Sequence, residues 1–155
     1  MEKIEVYFNE YNVLMDNAVY LPIVSGQLQA FAHTKPIIQE NYTFMPFIFY
    51  RDTPDRIVSQ YQNPGVAAFS ISMWNANLSL RVAQKVKEKF PECLIVFGGH
   101  DVPNRAENYL RMHGFVDLVV RGEGEKTFAQ ILENGLERRS FEDIQGITYR
   151  NKSGK

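Results

Sequence analysis

A single cysteine, Cys93, stands among 155 residues. It excludes an internal disulfide and fits a reducing compartment. Charge of one sign is equally scarce: 17 basic side chains face 18 acidic ones, for a formal charge of -1. That balance offers no electrostatic handle for nucleic acid or an anionic membrane. No apolar run approaches the roughly 20 residues of a spanning helix, and the amino terminus lacks the basic segment and apolar stretch of a secretion signal. The expectation is a cytoplasmic chain with no nucleic-acid and no membrane partner. Three histidines, His33, His100 and His113, share no metal-ligand spacing, so no metal-ligating residue is expected. His33 and His113 read as solvated helix-end residues. No Ser-His-Asp or Cys-His arrangement supplies catalytic residues, and the Walker A pattern Gly-x4-Gly-Lys-Ser/Thr is missing.

What the chain does have is alternation. Apolar runs at 66–72, 94–97 and 117–120 each end in a loop of small residues or glycines, and each is followed by a helical pattern. Ile4-Glu5-Val6-Tyr7-Phe8 reads as a first strand, followed by a long polar loop over 9–17. A helix opened by Pro22 comes next, with Leu21, Val24, Leu28 and Phe31 spaced to face a sheet. A second strand is expected over 44–50, and its Pro46 places it at an edge. Thr53-Pro54-Asp55 reads as a capped helix start. The run at 66–72 carries no charge and suits the centre of a sheet buried on both faces.

Leu78, Val82, Val86 and Phe90 then recur on one helical face up to Pro91. A short helix is expected over 104–112 and a last one from 124 or 125, with Phe128, Ile131, Leu132 and Leu136 inward. Five strand–helix alternations imply a doubly wound, parallel α/β sheet. With the second strand at an edge and the third central, the flavodoxin-like (Rossmann-like) order 2-1-3-4-5 follows, and its ligand crevice lies between strands one and three. Residues 145–150 read as an extra C-terminal strand and 151–154 as a hairpin turn. No return strand follows, so the chain reads as cut from a longer protein.

In such a sheet the loops at the carboxyl ends of the strands are where a ligand sits. Gly98 and Gly99 either make room for a flat or bulky group or form a tight turn. Ser70 and Ser72 point the same way and either meet a ligand or bond nearby backbone. Trp74 and Asn75 at the tip add an aromatic face and an amide, although Trp74 is equally a packing residue. Gly122, Glu123 and Gly124 open the last helix, where backbone N–H groups suit an anion or amide oxygen. Glu123 and Glu125 would repel a phosphate. His100 is the one histidine placed in a ligand loop.

Taken together and in order, four segments resemble the N-terminal cobalamin-binding domain of cobalamin-dependent radical SAM enzymes. They are Tyr20-Leu21-Pro22-Ile23-Val24-Ser25-Gly26, Phe69-Ser70-Ile71-Ser72-Met73-Trp74-Asn75, Ile95-Val96-Phe97-Gly98-Gly99-His100-Asp101-Val102-Pro103 and Val119-Val120-Arg121-Gly122-Glu123-Gly124-Glu125-Lys126-Thr127-Phe128. The resemblance implies a flavodoxin-like domain preceding a radical SAM barrel, with the nucleotide tail of cobalamin in the sheet's crevice and the corrin on the strand ends. By position it places Ser70 and Ser72 at the base and tail, Gly98 and Gly99 beside the tail, and Gly122, Glu123 and Gly124 near corrin or tail. Trp74, Asn75 and His100 border the same cavity. The domain is expected over 1–140, and 141–155 begins a linker or hairpin to the radical SAM domain.

Two departures shape the expectation. Mutase-type cobalamin domains carry Asp-x-His-x-x-Gly after strand one, whose histidine ligates cobalt; here the loop reads Asn9-Glu10-Tyr11-Asn12-Val13-Leu14. Cobalamin is therefore expected without a protein histidine ligand, its own base displaced and its lower face left to water, a nonligating side chain or nothing. A radical SAM [4Fe-4S] centre needs three cysteines, so S-adenosylmethionine and the cluster belong to a domain outside this chain, which alone is not catalytic. In the whole enzyme, methyl transfer or a rearrangement is implied. Two other readings stay open: a flavin- or nucleotide-binding domain, which would call for a Ser/Thr/Gly-rich loop that 9–17 lacks, and a degenerate docking domain without cofactor.

Overall fold

In a computed structural model of the chain, residues 2–136 and 140–151 are described. Strand β1 (Ile4–Asn9) leads into a small hairpin of β2 (Leu14–Met15) and β3 (Ala18–Val19), then α1 (Ile23–Ala32), α2 (Pro36–Asn41) and β4 (Tyr42–Phe44). After α3 (Pro54–Val58), strand and helix alternate: β5 (Pro64–Ser70), α4 (Ala76–Lys89), β6 (Leu94–Gly98), α5 (Glu107–Met112), β7 (Leu118–Val120), α6 (Glu125–Leu136) and β8 (Ile147–Tyr149). The main sheet runs β4-β1-β5-β6-β7-β8. All neighbours are parallel except β7 and β8. This is the expected order 2-1-3-4-5 with the extra strand added beside the fifth.

Side chains alternate across the sheet, and both faces are covered. Tyr7, Ala67, Phe69, Ile95, Phe97 and Val119 pack on one side with residues of α3, α4 and α5. Val6, Phe8, Ala68, Val96, Leu118 and Val120 pack on the other with residues of α1, α2 and α6. Strand β5 lies between β1 and β6, as an uncharged run buried on both faces should. Thr53 caps α3, its hydroxyl oxygen accepting from the Arg56 N–H at 3.4 Å.

Several local expectations are corrected. The second strand is shorter and earlier than 44–50. Pairing with β1 breaks around Pro46, which cannot donate, and resumes as a single bridge between Ile48 and Asn9. The loop over 9–17 folds back as the β2–β3 hairpin, with Asp16 at φ 52 in its turn. Helix α2 had no counterpart in the periodicity. The short helix begins at Glu107 rather than 104. His113 is half-buried rather than solvated, its ring edge-on to Tyr109 at 4.6 Å, and burial lowers its pKa. Of the hairpin turn expected over 151–154, residues 152–154 lie outside the described ones.

Helix α1 departs most informatively. Leu21 precedes it and is 70% exposed, and Val24 is 37% exposed. The helix packs along α6; Leu28, Phe31 and Ala32 reach the core of the sheet face, whereas Val24 and Ser25 nearer its start look onto empty space.

Candidate functional site

That space is a cavity of about 500 Å³, within the range of small-molecule sites. Its floor is the sheet face made by Phe8 of β1, Ala68 of β5, Val96 of β6 and Val120 of β7; the register Phe8–Ala68–Val96 sets the first three side by side. Val24, Ser25 and Leu28 of α1 and Phe128 of α6 roof it. The rim is formed by the carboxyl ends of β5, β6 and β7: Ser70, Gly98 to His100, and Arg121 to Glu125. The cavity thus reaches under β6 and β7 rather than opening only between β1 and β5. That crevice is bridged by two amides: Asn9 Nδ2 donates to the Ala68 carbonyl at 3.1 Å, and Asn75 Nδ2 to the Tyr11 carbonyl at 3.3 Å.

Seven of the ten residues proposed from sequence line this cavity: Ser70, Gly98, Gly99, His100, Gly122, Glu123 and Gly124. Ser72, Trp74 and Asn75 do not. Asn75 is instead a hub, accepting from the Ser72 N–H at 2.9 Å and donating to the Ser70 carbonyl at 2.9 Å. Trp74 is 49% exposed on the loop outside.

The two central glycines differ in what requires them. At Gly99, φ is +109 and a Cβ would fall 2.5 Å from the Ile71 carbonyl oxygen, so the fold itself demands glycine. At Gly98 the backbone is ordinary, and a Cβ would meet only Val120, at 3.7 and 3.8 Å. No protein contact excludes a side chain there. The Ser70 hydroxyl beside it has no hydrogen-bond partner among the described residues.

The sequence reading missed Ser25, Gln27 and Asn104, and left Arg121 of the quoted motif unassigned. Arg121 holds the rim together: its guanidinium donates to the Thr148 hydroxyl (2.7 Å), the Asn104 carbonyl (3.1 Å) and the Ile147 carbonyl (3.3 Å). These contacts join residues far apart in sequence, and no local pattern marks them. Behind β1, the Tyr11 and Tyr61 hydroxyls both donate to Asn9 Oδ1, at 2.9 and 2.8 Å. Burial raises both phenols well above their usual pKa. Among the described residues there is no cluster of His, Cys, Asp or Glu suited to a metal ion, and no helix is long and apolar enough to cross a membrane.

A parallel α/β sheet with a mostly apolar cavity, a few polar groups and a glycine rim at its strand ends defines a cofactor-binding domain. The family model of the B12 binding domain matches residues 41–132, and the chain belongs to that family. It is 32% identical over 148 residues to a 2-(S-pantetheinyl)-carbapenam-3-carboxylate methyltransferase of Streptantibioticus cattleyicolor, covering 95% of this chain and 21% of that protein. It is 31% identical over 141 residues to the cobalamin-dependent radical SAM methyltransferase TokK of Streptomyces tokunonensis, covering 90% and 21%. Its fold matches the cobalamin-dependent S-adenosylmethionine radical enzyme OxsB, solved with aqua-cobalamin and S-adenosylmethionine bound. That match has a TM-score of 0.79 at 15% identity and covers 99% of this chain and 22% of OxsB. The chain is a cobalamin-binding domain related to these methyltransferases and spans about a fifth of their length.

The cavity fits the cofactor's slender part. Its volume and apolar floor would suit a flat base, the Ser70 hydroxyl would be available as a polar contact, and the bare Gly98 leaves room that protein packing does not require. The bulkier macrocycle would have to lie outside, on the rim.

Proposed function

We propose that this chain holds cobalamin by its nucleotide tail for a radical SAM domain of the same parent protein. The carrying observation is the pairing of an unpartnered Ser70 hydroxyl with a Gly98 that packing does not explain, both on one cavity at the strand ends. Ser70 and Gly98 would meet the tail, with Gly99 fixing the turn. His100, Gly122, Glu123 and Gly124 would border the corrin. Ser72, Trp74 and Asn75 enter as the loop that continues from Ser70, with Asn75 setting its shape.

No histidine stands in the loop after β1, and Tyr11 of that loop is buried in the opposite core. The cobalt's lower face would therefore receive no imidazole from this loop, and the cofactor's own base would be displaced into the cavity. When bound, cobalamin supplies a cobalt centre able to carry a methyl group, which the parent enzyme would use for methyl transfer or a rearrangement. S-adenosylmethionine and a [4Fe-4S] cluster would belong to the other domain, because the one cysteine here is buried inside the fold. Its reduced thiol suits the cytoplasm, the compartment we propose. Exposed Leu14, Met15, Tyr20, Leu21 and Ile23 cluster after β1, at the sheet end that carries the rim. Apolar surface of that kind marks an interaction site, here for the radical SAM domain.

The test is to mix the chain with hydroxocobalamin, remove free ligand by gel filtration and record the visible spectrum of the protein peak. Retained corrin with a base-off spectrum is expected. A colourless peak, with no spectral change on direct titration, would overturn the proposal.

A further inference from the structure

We infer that Ser25 is an obligate hydrogen-bond acceptor inside the cavity and reads a ribose hydroxyl on the cofactor's nucleotide tail. The inference rests on the cobalamin reading above and adds a contact that the strand-end loops do not supply. Ser25 lies in the first turn of α1, 2% exposed, and lines the cavity. Its hydroxyl donates to Glu10 Oε2 at 2.8 Å, and its backbone N–H donates to the same oxygen at 2.9 Å. Glu10 follows β1 directly and is itself 8% exposed.

A serine hydroxyl carries one proton and two lone pairs. With the proton committed to a carboxylate oxygen, a strong charge-assisted bond, Ser25 has only lone pairs to offer a ligand. An acceptor over an apolar floor of Phe8, Ala68 and Val96 favours an occupant that brings a donor and penalises one that does not, because a buried polar group left unpaired is costly. The benzimidazole end of the tail brings no donor once its nitrogen leaves cobalt; the ribose joined to it brings a hydroxyl. The α1 roof would thus read the sugar while the apolar floor accommodates the base. Glu10 serves as a positioning residue: it caps the start of α1 and fixes the direction of the Ser25 proton.

The experiment titrates the chain with hydroxocobalamin and with cobinamide, which keeps the corrin but lacks the nucleotide, following the visible spectrum. Ser25→Ala retains the backbone N–H bond to Glu10 and so keeps the α1 start. It is expected to weaken cobalamin by about tenfold and to leave cobinamide unchanged. Ser25→Cys, which keeps the volume but accepts weakly, should show the same selective loss and covers the case in which the alanine variant fails to fold. Equal cobalamin affinity in wild type and variants, or a parallel loss for both compounds, would overturn the inference while leaving the cobalamin reading intact. A wild-type chain that binds neither compound would instead overturn that reading.

Discussion

The Asn75 side-chain amide lies 3.3 Å from the Tyr11 carbonyl oxygen and 2.9 Å from that of Ser70, tying the loop after β1 to the loop after β5. These two strands are where the sheet's winding reverses direction, the usual opening for a ligand. Here a buried amide bridges that opening, and the cavity extends from β1 and β5 under β6 and β7, where glycines line the rim.

Replacing Asn75 with alanine removes these two donations and the acceptor for the Ser72 N–H, all inside a residue 2% exposed. Leaving buried backbone groups unpaired costs about 1–3 kcal/mol each when uncompensated. Asn75→Ala is expected to lower stability by about 3 kcal/mol in urea unfolding at an unchanged slope. A loss below about 0.5 kcal/mol, the scale of a surface substitution, would show that the amide is not the tie described.

The two rim glycines should separate in their effects. Gly99→Ala forces a side chain into a left-handed backbone and against Ile71, and should destabilise the fold by about 2–3 kcal/mol. Gly98→Leu should cost under about 1 kcal/mol, since its Cβ meets only ordinary contacts, yet remove cobalamin retention on gel filtration. Wild-type retention by Gly98→Leu would place the tail elsewhere.

Strand order, the edge position of the second strand and the C-terminal strand were legible because they follow from apolar runs and one proline. So were the rim residues Ser70, Gly98 and Gly99, which end those runs. The helix roof was not. Val24 and Leu28 have the spacing of a core-facing helix, and nothing in periodicity distinguishes a helix packed on a sheet from one held above a cavity by its neighbour α6. Ser25 and Glu10 meet across 15 positions of chain, and Arg121 meets Thr148 across 27. Pairings of that kind are set by tertiary packing, so local pattern carries no trace of them.

Arg121 and Thr148 provide a third test. The guanidinium joins the β7–α6 loop, β8 and the β6–α5 loop, so Arg121→Lys, which cannot reproduce the planar fork, should loosen all three segments. A double-mutant cycle of Arg121→Ala and Thr148→Val should return a coupling of about 1 kcal/mol. Strict additivity would mean that the 2.7 Å contact contributes nothing to the rim's stability.

Alkaline pH offers a readout of the core on the face away from the cavity. Burial raises the Cys93 thiol from 9.0 to about 12 and the Tyr7 phenol from 10.0 to about 12, and it raises Tyr61, stacked on Tyr7 at 4.2 Å, well above 10.0. Each group is harder to ionise folded than unfolded. Between the two values the unfolded chain therefore holds fewer protons, and stability falls as pH rises. The contribution of these groups is fully present below 9.0, declines first through Cys93, and declines more steeply once the tyrosines of the unfolded chain ionise above 10.0. Urea midpoints measured below 9.0, between 9.0 and 10.0, and above 10.0 should step downward in that order, and Cys93→Ala should abolish the first step while sparing the second. A midpoint that stayed flat across this window would mean that the thiol and phenols ionise as readily in the folded chain as in the unfolded one, and that this core admits water.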